Sequence, residues 1–315
     1  MFTLRQYLLA LLDSRGLTRT LGEIDVCRDE QGRPCFSAGN SAAVFRIRLG
    51  GRIRSLRCYL RPMRHLKEIY GQRLLEKELY LHTSPETGVW VDTVLGNWIE
   101  GSTLHETVAQ AAALRDRESL QILVRLFDRL ALALVTDDRA HGDLKPENII
   151  VGDDGTLCPI DFDASYLPAF AGEISPELGT AAYQHPARTA ADFDERIDDY
   201  PAALISTALH ALAEDPTLWD RYGSSDGLLY TPQRIASDPA YRETLALFEK
   251  RGMAVQYRIA QLLTAPTLRL FGLAELLAEA VREKPAARSG TEAETPELFV
   301  ENGRWGYRTA ERVVV

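Results

Sequence analysis

Two polar stretches near the middle of the chain constrain its fold and function most. They read His141-Gly142-Asp143-Leu144-Lys145-Pro146-Glu147-Asn148 and Ile160-Asp161-Phe162-Asp163. Apolar runs at 149–151 and 157–160 flank the turn sequence Asp153-Asp154-Gly155 between them. This pattern predicts a hairpin that brings Asn148 and Asp161 to the same side. Amide and carboxylate oxygens of this kind are ligands that magnesium accepts.

The first stretch resembles the catalytic loop H-R-D-x-K-x-x-N of protein kinases, and the second resembles their magnesium-binding D-F-G loop. The resemblance implies phosphoryl transfer from ATP with magnesium, in which a protein mainly positions groups and stabilises charge. It implies that Asp143 accepts or orients the substrate hydroxyl and that Lys145 steadies the transferring phosphoryl group. It also implies that Asn148 and Asp161 bind magnesium. The alternative is an ordinary polar turn in which Asp143 and Asn148 cap backbone groups, although capping requires neither Lys145 nor Asp161.

The resemblance covers about residues 36–280 and implies an α+β, two-lobed protein kinase-like fold with a β-rich N-lobe and a helical C-lobe. The length of 315 residues fits two such lobes. The expected segments are an N-terminal helix (1–20), the N-lobe (21–98), the hinge and C-lobe (99–284), a polar linker (285–297) and a C-terminal segment (298–315).

Two positions depart from the kinase motifs. Gly142 stands where the catalytic loop has arginine, and Asp163 stands where D-F-G has glycine. Kinases with that arginine use it to hold a phosphate on the activation segment. Control by phosphorylation of Ser165, Ser175 or Thr180 is therefore not expected in this chain.

Residues 36–45 resemble the kinase glycine-rich loop G-x-G-x-x-G-x-V, whose backbone covers the phosphates. Ser37, Gly39, Ala42 and Val44 fall at its motif positions. Gly39 and Val44 are therefore candidate nucleotide-binding residues. With a single glycine in the motif, the loop is expected to be stiffer than usual.

A β-hairpin is predicted over 45–60, with its turn at Gly50-Gly51. In kinases the phosphate-binding lysine lies on the second of these strands. The aligned residue here is Arg57, with Arg61 as the less favoured alternative. Arginine is longer and planar, so it is not equivalent to lysine. Arg57 either contacts a phosphate in a weakly active site or closes the pocket.

A helix is predicted over 63–82, because its apolar residues recur at helical spacing. By analogy with kinases, Glu76 on this helix is the candidate ion-pair partner of Arg57, and Glu78 is the alternative. Strands are predicted over 89–91 and 93–95. The residues that follow resemble the kinase hinge, whose backbone groups bind adenine; the candidate contacts are Trp98, Ile99 and Glu100.

Residues 104–113 are expected to begin the large lobe, and apolar residues at helical spacing predict a helix over 120–135. Residues 164–183 resemble a kinase activation segment, and residues 179–187 resemble its end, G-T-x-x-Y-x-A-P-E, with Ala187 in place of the closing glutamate. Asp198 begins a stretch that resembles the central helix of the large kinase lobe. The resemblance implies that Asp198 braces the backbone of the catalytic loop.

Composition narrows the classes of partner. The net charge of -9 argues against a nucleic-acid partner, and no apolar run approaches the ~20 residues of a membrane span. The four cysteines form no C-x-x-C pair, which predicts a reducing cytoplasmic location without structural zinc. Residues 41–75 are predominantly basic. They form either solvated faces or a surface for an acidic partner or nucleotide phosphates.

The two ends of the chain carry their own patterns. Residues 2–12 are amphipathic and predict a helix that packs on the body or docks elsewhere. Residues 299–307 resemble the G-K-W-G-Y core of WG repeats. A single such unit needs neighbours to bury its face, and the alternative is a C-terminal hairpin packed on the kinase body.

Two classes of function follow. The first is an active kinase that phosphorylates Ser/Thr hydroxyls of a protein substrate. H-G-D also occurs in aminoglycoside-type phosphotransferases, but residues 145–148 favour the protein-kinase side. The second is a pseudokinase scaffold that binds nucleotide or nothing, which Arg57 and Asp163 favour. The full set of transfer and metal residues favours catalysis. Oligomeric state is not predicted.

Overall fold

The chain folds into two compact units, Met1–Ile99 and Glu100–Val315. The structure, a computed structural model, describes residues 1–152 and 154–282, together with the backbone of 297–301 and 304–308. The small unit is rich in strands and the large unit is rich in helices. The α+β class, with a β-rich first part and a helical second part, is therefore confirmed.

The small unit is built around one antiparallel sheet. Its elements are α1 (Leu4–Leu12), β1 (Asp25–Val26), β2 (Phe36–Ala38), β3 (Ala42–Leu49), β4 (Arg52–Tyr59), α2 (Leu66–Tyr70), β5 (Leu74–His82) and β6 (Gly88–Asn97). The six-stranded sheet has the order β1-β3-β4-β6-β5, and β2 also pairs with β3.

The β3–β4 hairpin confirms the one predicted over 45–60. Gly50 and Gly51 turn it at positive φ angles of 55° and 79°. Successive side chains of a strand point to opposite faces, and Phe45 and Leu56 lie opposite each other on the fully buried face. The neighbouring opposed pair, Val44 and Arg57, therefore lies on the other face of the sheet.

Helix α1 packs against the buried face of this sheet. Thr3 and Gln6 form a capping box at its start, which satisfies backbone N–H groups that the first turn leaves open. The Tyr7 hydroxyl donates to the carbonyl of Tyr59 at 2.6 Å, and Leu11 is buried in the same core. The N-terminal helix is thus packed on the body, the first of the two predicted alternatives.

The helix predicted over 63–82 is wrong. Only α2 and a following 3-10 turn, Gly71–Arg73, are helical, and β5 begins at Leu74. Leu79 and Leu81 are both fully buried on the sheet, with the spacing of two that one face of a strand requires. A short leucine-rich run satisfies helical and strand spacing together, so periodicity alone did not separate them.

The strands predicted over 89–91 and 93–95 are one continuous strand, β6. Asp92, the polar residue between them, stays in the strand because its side chain has a partner. Its Oδ1 accepts the backbone N–H of Lys77 at 2.7 Å.

The large unit combines helices with a second sheet. Its elements are β7 (Gly101–Thr103), α3 (Leu104–Ala113), α4 (Arg117–Thr136), β8 (Ile149–Gly152), β9 (Leu157–Pro159), α5 (Asp199–Glu214), α6 (Leu218–Tyr222), α7 (Pro239–Arg251), α8 (Ala254–Leu262), α9 (Leu273–Arg282), β10 (Glu297–Glu301) and β11 (Arg304–Arg308). The helix predicted over 120–135 is confirmed as α4, and the strands predicted at 149–151 and 157–160 are confirmed as β8 and β9. Within the described residues, no helix combines the length and apolar character needed to cross a membrane.

Helices α4 and α5 form the centre of the large unit's core. They are also joined by a buried polar group. Asp128 of α4 accepts a hydrogen bond from the Ser206 hydroxyl at 2.6 Å and lies 2.8 Å from Nε2 of His210, both on α5. Buried polar atoms need such partners, so this contact fixes how the two helices align. That alignment sets the position of the loop that follows α4.

The sheet of the large unit has the strand order β10-β11-β9-β8-β7. β10 and β11 pair antiparallel, and Tyr307 of β11 lies opposite Leu157 of β9 in the backbone register. The segment that resembles a WG repeat therefore forms a two-stranded hairpin beside β9. The assignment of this segment as a repeat stays a prediction. Residues 285–296 of the predicted linker lie outside the described residues.

Candidate active site

The candidate active site lies on the loop between α4 and β8. This loop ends in a 3-10 turn, Pro146–Asn148, whose first residue has the fixed φ that suits a helical start. Ile160 donates its backbone N–H to the carbonyl of Asn148 at 2.8 Å. The end of β9 is thereby held beside the loop, as the predicted hairpin requires.

Asp198 accepts hydrogen bonds from two backbone N–H groups of this loop. It is fully buried, its Oδ1 accepts the N–H of Gly142 at 3.0 Å, and its Oδ2 accepts the N–H of His141. Burial raises the pKa of Asp198, whereas His141, the two backbone donors and Arg188 oppose that rise. The prediction that Asp198 braces the catalytic loop is confirmed.

The His141 ring connects the two polar stretches. Its Nε2 lies 2.8 Å from the carbonyl oxygen of Ile160, and its Nδ1 lies 3.4 Å from the backbone nitrogen of Asp143. Only the tautomer with a proton on Nε2 satisfies both contacts, because Nδ1 must accept. The ring also packs against Phe162, with centroids 5.0 Å apart. His141 therefore has a structural role, because it links the first polar stretch to the second.

Asp143 is held from three directions. Its Oδ1 accepts the backbone N–H of Thr180 at 2.6 Å, and its Oδ2 accepts from Nδ2 of Asn148 at 3.1 Å. The ammonium of Lys145 lies 3.6 Å from Oδ2. Hydrogen bonds to an ionised acceptor are the strong ones, so these donors fix the orientation of the carboxylate.

Lys145 is anchored at its tip. Its Nζ donates to Oγ1 of Thr180 at 2.8 Å, and its side chain is only 23% exposed. An ammonium has three donors, so the contact with Thr180 leaves others for a further acceptor. The structure thus brings Asp143, Lys145 and Asn148 together, and their catalytic roles stay predictions.

Asn148 and Asp161 supply the oxygens assigned to magnesium. Nδ2 of Asn148 donates to the carbonyl and the carboxylate of Asp143, so Oδ1 is the atom of this amide suited to a metal. Asp161 has a left-handed backbone, with φ 67° and ψ 65°. A non-glycine residue in that region is uncommon and costs roughly 1–2 kcal/mol. This cost marks Asp161 as a functional candidate.

The donor chemistry of these two residues fits magnesium. Magnesium is commonly bound through one or two protein carboxylates or other oxygens, with waters and substrate phosphates completing its shell. Among the described residues, no group of three or more His, Cys, Asp or Glu side chains forms a metal site. A two-ligand site of this kind does not need one.

Two glycines allow the activation segment to approach the catalytic loop. Gly142 has φ 81°, and a Cβ there would lie 2.0 Å from the carbonyl oxygen of Ala164. Gly179 has φ 73°, and its Cβ would lie 2.8 Å from the carbonyl oxygen of Gly142 and 3.0 Å from Oδ1 of Asp143. Gly179 therefore brings the next residue, Thr180, within reach of Asp143.

Sequence reasoning missed Arg188. This side chain is 9% exposed, and its Nη1 donates to the carbonyl of Gly142 at 3.0 Å and to Oε1 of Gln184. Burial lowers the pKa of Arg188, whereas Asp198 and Asp143 oppose that change. The available signal was its place directly after Ala187, where the family's closing glutamate is missing.

In the small unit, Gly39, Val44 and Arg57 lie near one end of the β2–β3–β4 ladder. Gly39 donates its N–H to the carbonyl of Ala42 at 2.9 Å, which makes a tight turn between β2 and β3. Val44 and Arg57 are directly opposite each other, so both side chains project from the same sheet face. The guanidinium of Arg57 lies 5.8 Å from the ring centroid of Tyr59.

The two candidate glutamates lie on β5 and not on a helix. Glu76 is exposed. Glu78 is buried, and its carboxylate accepts the backbone N–H groups of Arg19, Thr20 and Leu21 at 2.8 to 3.1 Å. Glu78 therefore organises the loop after α1. The helix on which the assignment of Glu76 to an ion pair depended is not formed.

The three candidate adenine contacts span the boundary of the two units in sequence. Trp98 and Ile99 close the small unit, and Glu100 opens the large one. The Trp98 ring lies beneath the guanidinium of Arg46, 5.7 Å from its centroid. Their role in binding adenine stays a prediction.

Comparisons with known proteins find kinases over part of the chain. The rice protein CBL-interacting protein kinase 17 is 28% identical over 172 residues, which cover 52% of this chain and 35% of that kinase. Serine/threonine-protein kinase PknL from Mycobacterium tuberculosis is 34% identical over 113 residues, which cover 34% of this chain and 27% of PknL. No family model matches the chain.

These similarities support a protein kinase-like family for the chain and fit the fold described above. The matched stretch covers no more than about a third of these relatives' own length. The H-G-D form of the catalytic loop and the WG-repeat assignment stay predictions.

Proposed function

We propose that this protein transfers the terminal phosphoryl group of ATP to a serine or threonine hydroxyl of a protein substrate, with magnesium. One observation carries the proposal, the arrangement around Asp143. Its carboxylate is oriented by Thr180 and Asn148, and the ammonium of Lys145 lies 3.6 Å away. Capping a turn would need only the Asp143 carboxylate as an acceptor. It would need neither the Lys145 ammonium nor the side-chain amide of Asn148.

In the proposed reaction Asp143 orients the substrate hydroxyl. The hydroxyl oxygen forms a bond to the terminal phosphorus, the bond from that phosphorus to the bridging oxygen breaks, and ADP leaves. The hydroxyl proton passes to the carboxylate of Asp143. Lys145 stabilises the charge on the transferring group through the N–H donors that Thr180 does not occupy.

Oδ1 of Asn148 and the carboxylate of Asp161 would hold the magnesium ion. When bound, magnesium would neutralise the charge that develops on the phosphate groups during transfer. The left-handed backbone of Asp161 presents its carboxylate directly after β9, whose end is tied to Asn148 through Ile160. These backbone constraints place the two residues near each other before nucleotide binds, which would reduce the ordering cost of the site.

The kinase resemblance also implies nucleotide contacts for residues at 39–57 and at 98–100, and we keep these roles as part of the proposal. Arg57 replaces the family's lysine as the phosphate cation, and Val44 beside it contacts the base. Gly39 allows the backbone of the β2–β3 turn to approach the phosphates. Backbone groups of Trp98, Ile99 and Glu100 bind adenine, and Glu76 has no assigned part because it is exposed on a strand.

A nucleotide-binding scaffold without transfer activity is the second candidate. Arg57 favours it, since arginine is bulkier than lysine and binds phosphate as a planar fork. Asp163 also favours it, because a buried residue stands where the family has a flexible glycine. Both candidates predict nucleotide binding, and they differ in phosphate transfer.

Transfer of labelled phosphate from ATP to a general protein substrate separates the two candidates. Asp143→Ala is expected to lower the rate by about 10²- to 10⁴-fold, the usual contribution of a positioned acid or base. Asp220→Ala, a half-exposed aspartate on α6 of the same unit, is the matched control and is expected to keep the wild-type rate. Equal phosphate transfer by the wild type and Asp143→Ala would mean that a contaminating enzyme transferred the phosphate. Nucleotide binding without any transfer would favour the scaffold.

A further inference from the structure

Arg188 places a buried positive charge beside the catalytic loop. Its Nη1 contacts the carbonyl of Gly142, one residue before Asp143, and the side-chain oxygen of Gln184. Nε and Nη2 have no hydrogen-bond acceptor among the described residues. Burying a guanidinium with unsatisfied donors is costly. A residue that only filled space here would be more stable as an apolar side chain.

The main chain that leads into Arg188 is held by several contacts. Its backbone N–H donates to the carbonyl of His185 at 3.0 Å. The His185 ring accepts the N–H of Ala187 at 3.1 Å, lies 3.0 Å from the carbonyl oxygen of Ala265 and packs edge-on against Tyr200. The guanidinium therefore reaches Gly142 from a rigid base.

No side chain at position 142 can supply this charge. The backbone of Gly142 is left-handed, and the carbonyl oxygen of Ala164 occupies the place of its Cβ. The carbonyl oxygen of Gly142 lies close to Gly179, next to the Thr180 N–H that binds Asp143. Arg188, from the far end of the activation segment, is the cation that contacts that carbonyl.

The serine and threonine hydroxyls of residues 164–188 each have a partner. Ser165 is buried and donates to the carbonyl of His141 at 3.3 Å, and Ser175 is buried and donates to the carbonyl of Glu177 at 2.5 Å. The hydroxyl of Thr180 accepts from Lys145. A phosphate at Ser165 or Thr180 would break a contact with the catalytic loop, and a phosphate at Ser175 would break a contact within the segment.

We propose that Arg188 is a positioning residue that holds residues 179–188 closed on the catalytic loop and so orients Asp143 without phosphorylation of that segment. Its role in turnover rests on the proposed phosphoryl transfer. The closure itself does not, because it is a contact between two backbone segments and one side chain. An experiment can therefore contradict the proposed phosphoryl transfer without contradicting the closure, and the reverse.

The test compares the wild type, Arg188→Met, Arg188→Lys and a control, Arg258→Met, which changes an exposed arginine on α8. Arg188→Met is expected to lower kcat by about ten- to a hundredfold, the range for one lost charged hydrogen bond, with the KM for ATP within about twofold. Arg188→Lys keeps one donor and is expected to restore part of kcat. The control and phosphatase-treated wild type are expected to match untreated wild type.

Amide hydrogen exchange reads the closure without turnover. The N–H of Thr180, which binds Asp143, is expected to exchange faster in Arg188→Met by about tenfold, while amides in the middle of α4 keep the wild-type rate. If the wild type transfers no phosphate, the proposed function fails and this exchange measurement alone decides the role of Arg188.

Three results would overturn the inference. They are wild-type kcat and wild-type Thr180 exchange in Arg188→Met, a change confined to the KM for ATP, and loss of wild-type activity on phosphatase treatment. If Arg188→Met does not fold, Arg188→Lys carries the test. A lowered kcat at unchanged KM then supports the inference, and wild-type kcat with wild-type exchange overturns it.

Discussion

Gly142 shows how one residue can alter a whole motif. Its left-handed backbone lets the carbonyl of Ala164 approach to a distance that no Cβ tolerates. An arginine in this position, as in the kinase motif, would have to displace that segment. The departure from H-R-D is thus a consequence of local packing, and Arg188 provides a cation at the neighbouring carbonyl.

Substitution of Gly142 separates packing from backbone strain. Gly142→Ala is expected to lower the free energy of unfolding by roughly 1–2 kcal/mol for the left-handed backbone and by a further ~1–3 kcal/mol for the contact with Ala164. Gly172→Ala is the matched control, since Gly172 has φ 85° but open space around its Cβ. Chemical denaturation measures both. Equal losses in the two variants would show that the contact with Ala164 adds nothing.

Individual residues also mark the limit of sequence reasoning. The catalytic-loop residues could be found because each has a fixed spacing in one continuous stretch. The role of Arg188 could not be assigned in this way, because its place after Ala187 marks the residue but its contact with Gly142 depends on a close approach that only the structure shows. The consequence of Arg57 for catalysis likewise depends on more than its position in the sequence.

At the scale of elements, the β8–β9 hairpin and β5 illustrate what patterns can and cannot decide. The hairpin was predictable because a turn sequence separates two short apolar runs. Residues 74–82 were not, because their leucines fit helical spacing and their glutamates and lysine suit a helix by propensity. Sheet pairing with β6 and burial of Leu79 and Leu81 overrode that propensity.

Two glutamates on β5 test this assignment. Glu78→Ala is expected to lower the free energy of unfolding by about 2–3 kcal/mol, because the carboxylate accepts several backbone N–H groups of the loop after α1. Glu76→Ala, two positions earlier and exposed, is expected to change it by less than about 0.5 kcal/mol. Thermal unfolding of both variants provides the comparison. A larger loss for Glu76→Ala would contradict the strand and restore the importance of that residue.

At the scale of the whole molecule, stability depends on pH through buried carboxyl groups. Burial raises the pKa of Asp199, at the start of α5, from 3.8 to about 7, although a backbone N–H from Leu270 and the guanidinium of Arg196 oppose this. Between these values the folded protein binds the proton and the unfolded chain does not. Stability contributed by this group is therefore complete below about pH 4 and falls as pH rises towards 7.

Asp199→Asn is expected to remove this dependence. The amide keeps an acceptor for Leu270 and carries no charge, so the variant should be more stable than the wild type at pH 8 by about 1–4 kcal/mol. The difference should shrink as pH falls below about 5. Asp226→Asn, an exposed residue of the same unit, is the control. Denaturant unfolding over this pH range measures the effect, and parallel curves for wild type and Asp199→Asn would contradict it.

We propose that Asn148 and Asp161 hold magnesium for a bound nucleotide. Calorimetric titration of ATP into the purified protein, with and without magnesium, tests this proposal, with Asp161→Asn as the comparison. We expect magnesium to strengthen ATP binding to the wild type and Asp161→Asn to lose this magnesium dependence. ATP binding that is equal with and without magnesium, or absent in both conditions, would contradict it.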